Sequence, residues 1–211
     1  MAKLYFKYGV MGSSKTAQAL ITKFNYEANG SKVLFIKPSI DTRDGENIVK
    51  SRIGLSSEAV ILTQNEELAI STVFNYDVVI CDESQFFTPE QIEHFKDIAV
   101  HCDIPVLCYG LLTDFQTHLF SGSKRLIELA DSIQEIKMVC KCGRKATINA
   151  RIVNGKIVKE GEQVMLGGNE SYEAMCYECW CRRKNDKRMF QYETYIMNNR
   201  RKKDDRRKET D

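Results

Sequence analysis

The chain reads as an α/β protein, a doubly wound and mostly parallel sheet joined to a small β-rich module. Three observations carry that reading. Short apolar runs alternate with helix-forming segments over roughly the first 139 residues, the pattern of repeated βα units. The first apolar run passes through a small-residue turn directly into a helix. After Cys140 the periodicity changes from helical to two-residue alternation, and five cysteines gather.

The first unit is Tyr5-Phe6-Lys7-Tyr8, then Gly9-Val10-Met11-Gly12-Ser13-Ser14-Lys15-Thr16, then Ala17-Gln18-Ala19-Leu20-Ile21. Strand, tight turn and helix N-terminus aim backbone N–H groups at one point, which favours anionic oxygen there. Lys15 supplies a point charge for β/γ-phosphates and Thr16 a hydroxyl for Mg²⁺. The usual G-x-x-x-x-G-K-[ST] pattern has a second glycine where this chain has Ser14. If Ser14 takes a left-handed conformation, strain of about 1–2 kcal/mol is expected.

Asn29-Gly30-Ser31 breaks the first helix. Lys32 to Lys37 forms a strand that Pro38 ends. Asp41-Thr42-Arg43-Asp44-Gly45 follows at the carboxyl end of that strand, where open α/β sheets meet ligands. Residues 47–57 read as a mobile loop, Ala59 to Leu62 as a strand and Asn65 to Phe74 as a helix. Asp77 to Cys81 is apolar on both faces, as in a covered parallel sheet, and ends in Asp82-Glu83. Thr88 and Pro89 open the next helix as N-cap and first residue. Ile104 to Gly110 is a further buried strand, and Leu111 and Phe115 follow on the same rim. Ser123 to Ala130 is a short helix, and Ser132 to Val139 leads into the cysteines. Lys145 to Lys159 alternates in β fashion around a turn at Asn154-Gly155.

Composition sets limits on what the chain can be. Its 211 residues suffice for one large domain or a domain plus a small module. With 3 prolines in all, a long structureless linker is disfavoured. No apolar run approaches a membrane span, and the N-terminus lacks a signal-peptide core, so a cytoplasmic location is expected. From Arg182 to Asp211, 12 Lys/Arg face 6 Asp/Glu, whereas the preceding chain has 19 against 23. The basic end mixes both signs and reads as a solvated, partly disordered tail. The expected division is 1–139 for nucleotide binding, 140–183 for the cysteine module and 184–211 for the tail.

Asp82-Glu83 at a strand end suits the second half of a phosphate-transfer site. Adjacent carboxylates point to different sides, so Asp82 can serve a Mg²⁺ shell and Glu83 can accept a hydroxyl proton. Cys140-x-Cys142 and Cys176-x-x-Cys179 supply four thiolates for tetrahedral, structural Zn²⁺. Cys181 is a fifth thiol that could substitute for Cys179, and Trp180 would pack over the site. The glycine-bearing loop from Gly161 to Tyr172 could hydrogen-bond a flat polar ring, and Phe115 could stack on a base. Cys81, Cys102 and Cys108 read as buried hydrophobes. His94, His101 and His118 show no ligand spacing.

Together these residues resemble the thymidine kinase family of the cellular, zinc-containing kind, as a bacterial member. The resemblance covers Lys3 to about Cys181 and rests on Met11 with Lys15-Thr16, Ile40-Asp41-Thr42-Arg43, Asp82-Glu83-x-Gln85-Phe86 and Pro105 to Leu111. Thr113-Asp114-Phe115, Cys142 to Ala146, Gly161-Glu162-Gln163 and Gly167-Gly168-Asn169 add to it. It implies transfer of the ATP γ-phosphate to the 5′-hydroxyl of thymidine, and of deoxyuridine, in nucleotide salvage, with Glu83 as base. ATP would be held by Gly9, Val10, Met11, Gly12, Ser13, Ser14, Lys15 and Thr16, and by Asp82, Glu83, Ser84 and Gln85. Asp41 and Arg43 would lie near the phosphates and Mg²⁺. The nucleoside would meet Met11, Leu111, Phe115, Met165, Leu166, Gly167, Gly168, Asn169 and Tyr172. Cys140, Cys142, Cys176 and Cys179 match the zinc ligands. A homotetramer and feedback inhibition by thymidine triphosphate (dTTP) are implied too, with no membrane or nucleic-acid partner. Two other readings compete: a nucleic-acid-binding ATPase with a zinc ribbon and basic tail, and a nucleoside-binding relative impaired at Ser14.

Overall fold

The structure is a computed structural model that describes residues 1–42, 45, 47–163, 172–184, 191–197 and 199. Arg43, the segment Met165 to Asn169 and most of the basic tail lie outside the described residues.

The chain opens with β1 (Leu4–Tyr8), α1 (Lys15–Ala28) and β2 (Val33–Pro38). Next come β3 (Ile48–Lys50), β4 (Ser56–Glu58), β5 (Val60–Leu62), α2 (Ile70–Val73) and β6 (Val78–Cys81). A 3-10 turn (Ser84–Phe86), α3 (Pro89–His101), β7 (Val106–Gly110), α4 (Ser121–Leu129) and β8 (Ser132–Glu135) complete the larger part. The remainder contains β9 (Met138–Val139), β10 (Lys145–Ala146), β11 (Ile148–Val153), β12 (Lys156–Ile157), β13 (Tyr172–Met175) and α5 (Tyr177–Lys184).

Six strands form one sheet in the order β5-β2-β6-β7-β1-β8, and every pairing in it is parallel. Strand parity divides the core between the two faces. Val79 and Cys81 of β6, with Leu4 and Phe6 of β1, pack with Ile92, Phe95 and Ile98 of α3 and Leu126 of α4. Val78 and Ile80 face the other way, with Ala19 and Leu20 of α1 and with Phe35 and Tyr109. Helices therefore cover both faces, as a doubly wound sheet requires. Because all six strands run the same way, the segments that follow β1, β2, β6 and β7 emerge on one rim.

Local signals account for two of the boundaries. Thr88 and Gln91 form a reciprocal capping box with Pro89 at the first position of α3. Asn154 and Gly155, both at positive φ, make the two-residue turn joining β11 to β12. Two expectations are corrected. Residues 47–57 fold as an antiparallel hairpin, with Ile48 opposite Glu58 and Lys50 opposite Ser56, and Ser51 exchanges hydrogen bonds with Leu55 across its tip. The helix read over Asn65 to Phe74 shrinks to α2. The Gln91 side chain donates at 2.7 Å to the carbonyls of Thr63 and Glu66, and this tertiary contact holds the segment ahead of α2 against the start of α3.

The cysteine-bearing part has its own core of Ile148, Ala150, Ile157, Met175, Trp180 and Cys181, around Cys140 and Cys176. Val10 of the β1–α1 turn is buried in the same cluster. Among the described residues, no helix is long and apolar enough to cross a membrane.

Candidate active site

The β1–α1 turn is shaped by close approach. A Cβ on Gly9 would collide with the Ser13 side chain and the Ile136 carbonyl, and the Gly9 N–H donates to Gly110 O at the end of β7. Gly12 has φ +81°, and Ser14 sits at φ 62°, ψ 25°, the left-handed region, just before α1. The glycine missing from the pattern thus stood where glycine is conformationally favoured, and a serine occupies that geometry. Lys15 is buried, and its Nζ donates to Val10 O at 2.9 Å, across the mouth of the turn.

Asp82 follows β6 in the parity of Val78 and Ile80, which turns it toward α1. The Thr16 hydroxyl hydrogen-bonds its carboxyl, and Lys15 is close enough to act on it electrostatically. Burial, followed by the neighbouring Glu83 charge, pushes the Asp82 carboxyl up to about 7 against the pull of Thr16 and Lys15. Its Oδ1 is buried without a hydrogen-bond partner. A carboxylate oxygen orphaned beside a threonine hydroxyl and a lysine, at the mouth of a phosphate turn, fits a Mg²⁺-bound nucleotide.

Glu83 leaves the strand at φ 48°, ψ 40°, again left-handed, and this reversal separates its side chain from that of Asp82. Gln85 Nε2 donates to Glu83 Oε2 at 2.6 Å, and the Leu111 N–H donates to Gln85 Oε1 at 2.9 Å. Asp41, just past β2, is also buried.

Past the end of β7, Phe115 is only 1% exposed. The Arg151 guanidinium lies 3.7 Å from the centre of its ring, so one face of Phe115 is covered from below by a cation. Arg151 also donates to the Tyr172 hydroxyl at 2.9 Å and to the carbonyls of Glu162 and Gln163. Gln163 Nε2 in turn reaches Asp114 Oδ2. Asn149 spans two parts of the site, accepting from the Met11 N–H at 2.7 Å and donating to Thr113 O at 2.9 Å.

The structure therefore gathers Gly9 to Thr16, Asp82, Glu83, Gln85 and Leu111 on one rim. It sets Phe115 and Tyr172 together through Arg151. Sequence reasoning missed Arg151, Asn149 and Arg52. Asn149 and Arg151 share the face of β11 opposite Ile148 and Ala150 of the module's core, so a charged residue within that alternating run was the available signal. Arg52, at the tip of the β3–β4 hairpin, lies against Gly12, with its Nη1 3.6 Å from where a Cβ would stand. That contact had no sequence signal, because the hairpin was read as a loop.

The four thiols of Cys140, Cys142, Cys176 and Cys179 bring their sulfurs within 4.8 Å of one another, and Cys142 Sγ stands 3.6 Å from Cys176 Sγ. Tetrahedral Zn²⁺ sets its sulfurs about 3.8 Å apart. Amide N–H groups of Cys142 and Cys176 pull Cys140 below the usual thiol range, while hydrogen bonds to Cys142 and Cys176 push Cys179 up. Crowded thiols resist joint ionisation, and a divalent cation removes that resistance. Cys181, considered as a substitute ligand, is not among the four converging sulfurs: one turn of α5 cannot direct Cys179 and Cys181 to the same side. Trp180 packs in that core beside Tyr177, ring centres 5.7 Å apart.

Comparison with known proteins adds independent information. The thymidine kinase family profile matches residues 2–180. A thymidine kinase of Rhodopirellula baltica is 43% identical over 183 residues, covering 83% of this chain and 86% of the relative. One from Legionella pneumophila is 45% identical over 183 residues, covering 83% and 88%. One from Streptococcus pyogenes serotype M3 is 42% identical over 180 residues, covering 83% and 95%.

Proposed function

The chain belongs to the thymidine kinase family, and from that premise we propose that it transfers the γ-phosphate of ATP to the 5′-hydroxyl of thymidine. Deoxyuridine is the expected second substrate and nucleotide salvage in the cytoplasm the setting. The observation that carries the reading is the shared rim. A phosphate turn with Lys15, a buried Asp82 beside Thr16 and a separately aimed Glu83 meet where β1, β6 and β7 end.

Binding starts at the turn. The amides from Gly9 to Thr16 and the N-terminus of α1 cradle the triphosphate. Lys15 exchanges its contact with Val10 O for phosphate oxygens. Thr16 and Asp82 would hold the Mg²⁺ that accompanies ATP, which would neutralise phosphate charge. Asp41 and Arg43 complete the polar surround. On the nucleoside side Met11, Leu111 and Phe115 enclose the thymine, and Met165 to Asn169 with Tyr172 cover it. Arg151 keeps Phe115 and Tyr172 in register. Glu83 accepts the 5′-hydroxyl proton as that oxygen attacks the γ-phosphorus. Lys15 and the turn amides stabilise charge on the transferred group, and enclosure keeps water from competing.

Cys140, Cys142, Cys176 and Cys179 would hold a zinc ion, which four thiolate ligands would make structural. A homotetramer inhibited by dTTP is the assembly and regulation the family reading carries. Retention of Lys15, Thr16, Asp82 and Glu83 favours an active kinase over an impaired relative. A coupled assay with ATP, Mg²⁺ and thymidine, with deoxycytidine as a negative control, tests the reading. Absence of thymidine monophosphate at millimolar ATP would reject it.

A further inference from the structure

We propose that Gln85 is a positioning residue that fixes the carboxylate of Glu83 and ties its orientation to the base-side segment beginning at Leu111. This inference rests on Glu83 being the base. The side chain of Gln85 is 1% exposed, in the 3-10 turn that follows Glu83. An amide is ambiguous end for end, but here its neighbours decide it. The Leu111 backbone N–H can only donate, so the oxygen of Gln85 faces Leu111 and the NH2 faces Glu83 Oε2. The 2.6 Å contact is a hydrogen bond to a carboxylate, short as such bonds are.

The surroundings are built for this placement. The turn lies directly on the end of β7. A Cβ on Gly110 would stand 2.7 Å from Gln85 Oε1 and 2.6 Å from Ser84 Oγ, so only glycine admits the glutamine there. The Leu111 carbonyl, on the other side of the same peptide segment, accepts from Ser123 Oγ at 2.5 Å, which holds that strand end to α4. Glu83 has left-handed backbone geometry, which persists where the surrounding structure holds it, and the Gln85 amide holds one of its carboxylate oxygens. A chain of contacts thus runs from α4 through Leu111 and Gln85 to the oxygen of Glu83, and both ends of the glutamine are engaged inside the protein.

The test is a double-mutant cycle in steady-state turnover with thymidine and Mg-ATP, using Gln85→Leu, Glu83→Gln and the double variant. Gln85→Glu serves as a second probe, because it keeps the acceptor for Leu111 while replacing the donor toward Glu83 with a second carboxyl group, whose charge opposes that of Glu83. Both Gln85 variants are expected to lose about 10- to 100-fold in kcat, with KM for ATP and for thymidine changed less than about twofold. In the Glu83→Gln background neither should cost anything further, since the group acted upon is gone. An equal loss in both backgrounds, a rise in KM for ATP at unchanged kcat, or wild-type kcat in both Gln85 variants would overturn the inference. Near wild-type turnover in Glu83→Gln alone would instead remove Glu83 from the base role, a separate failure that the cycle identifies.

Discussion

Ser14 closes the phosphate turn at φ 62°, ψ 25°, immediately before α1, in the left-handed region where glycine is favoured over serine. Strain of about 1 kcal/mol is expected for a serine there. Ser14→Gly should therefore raise the unfolding free energy by about that amount and lower the KM for ATP modestly. Unchanged denaturant midpoint and KM would show that the bond from Ser14 Oγ to Ser13 O at 2.6 Å offsets the strain. Asp82 carries a second residue-scale prediction. Its folded pKa is raised to about 7 from an unfolded value of about 4. The folded state then holds the extra proton across that window, so this group makes the nucleotide-free, magnesium-free protein less stable as pH rises from about 4 to 7. Asp82→Asn should raise Tm at pH 8 and leave it nearly unchanged near pH 4, while abolishing turnover. An equal gain at both pH values would contradict the account.

Among the elements, the cysteine module and the phosphate turn are mechanically joined, which their separation in sequence concealed. Val10 is buried in the module's core, and Asn149 of β11 holds the Met11 amide. Loss of the bound metal should therefore damage ATP binding, although no cysteine lies in the phosphate turn. Chelation, or Cys142→Ser, is expected to lower Tm and to weaken ATP binding several-fold, as read by calorimetry on the intact protein. Cys181→Ser should keep one zinc per chain, because that thiol lies in the apolar core and not among the four sulfurs. Metal loss in Cys181→Ser with retention in Cys179→Ser would reverse the ligand assignment. The cysteine pairs were readable because ligand spacing is a local property. The β3–β4 hairpin was not, because its strands are three residues each and carry charges that a loop would also carry. Lys37, buried on β2, donates to Ile48 O, and such a tertiary bond leaves no periodicity behind. The same holds for Gln91, whose side chain takes the carbonyls of Thr63 and Glu66 ahead of α2.

For the molecule as a whole, the parallel sheet was visible from alternation alone, while the strand order was not. Inserting β7 between β6 and β1 places Gly110 and Leu111 between the phosphate turn and Glu83, which makes one connected site of three distant segments. Arg151 does the same for Phe115 and Tyr172. Such residues act through geometry made by the fold, and their neighbours in sequence say nothing of it. The central claim is phosphoryl transfer to the 5′-hydroxyl of thymidine with Glu83 as base. The most direct measurement follows label from γ-phosphate-labelled ATP into thymidine monophosphate, comparing the wild-type chain with Glu83→Gln at saturating thymidine. The account predicts Mg²⁺-dependent labelling at the 5′ position in the wild type and a loss of about 10²–10⁴ in turnover in the variant, with thymidine binding retained. Unlabelled thymidine in the wild-type reaction, or a Glu83→Gln variant that labels it at the wild-type rate, would contradict it.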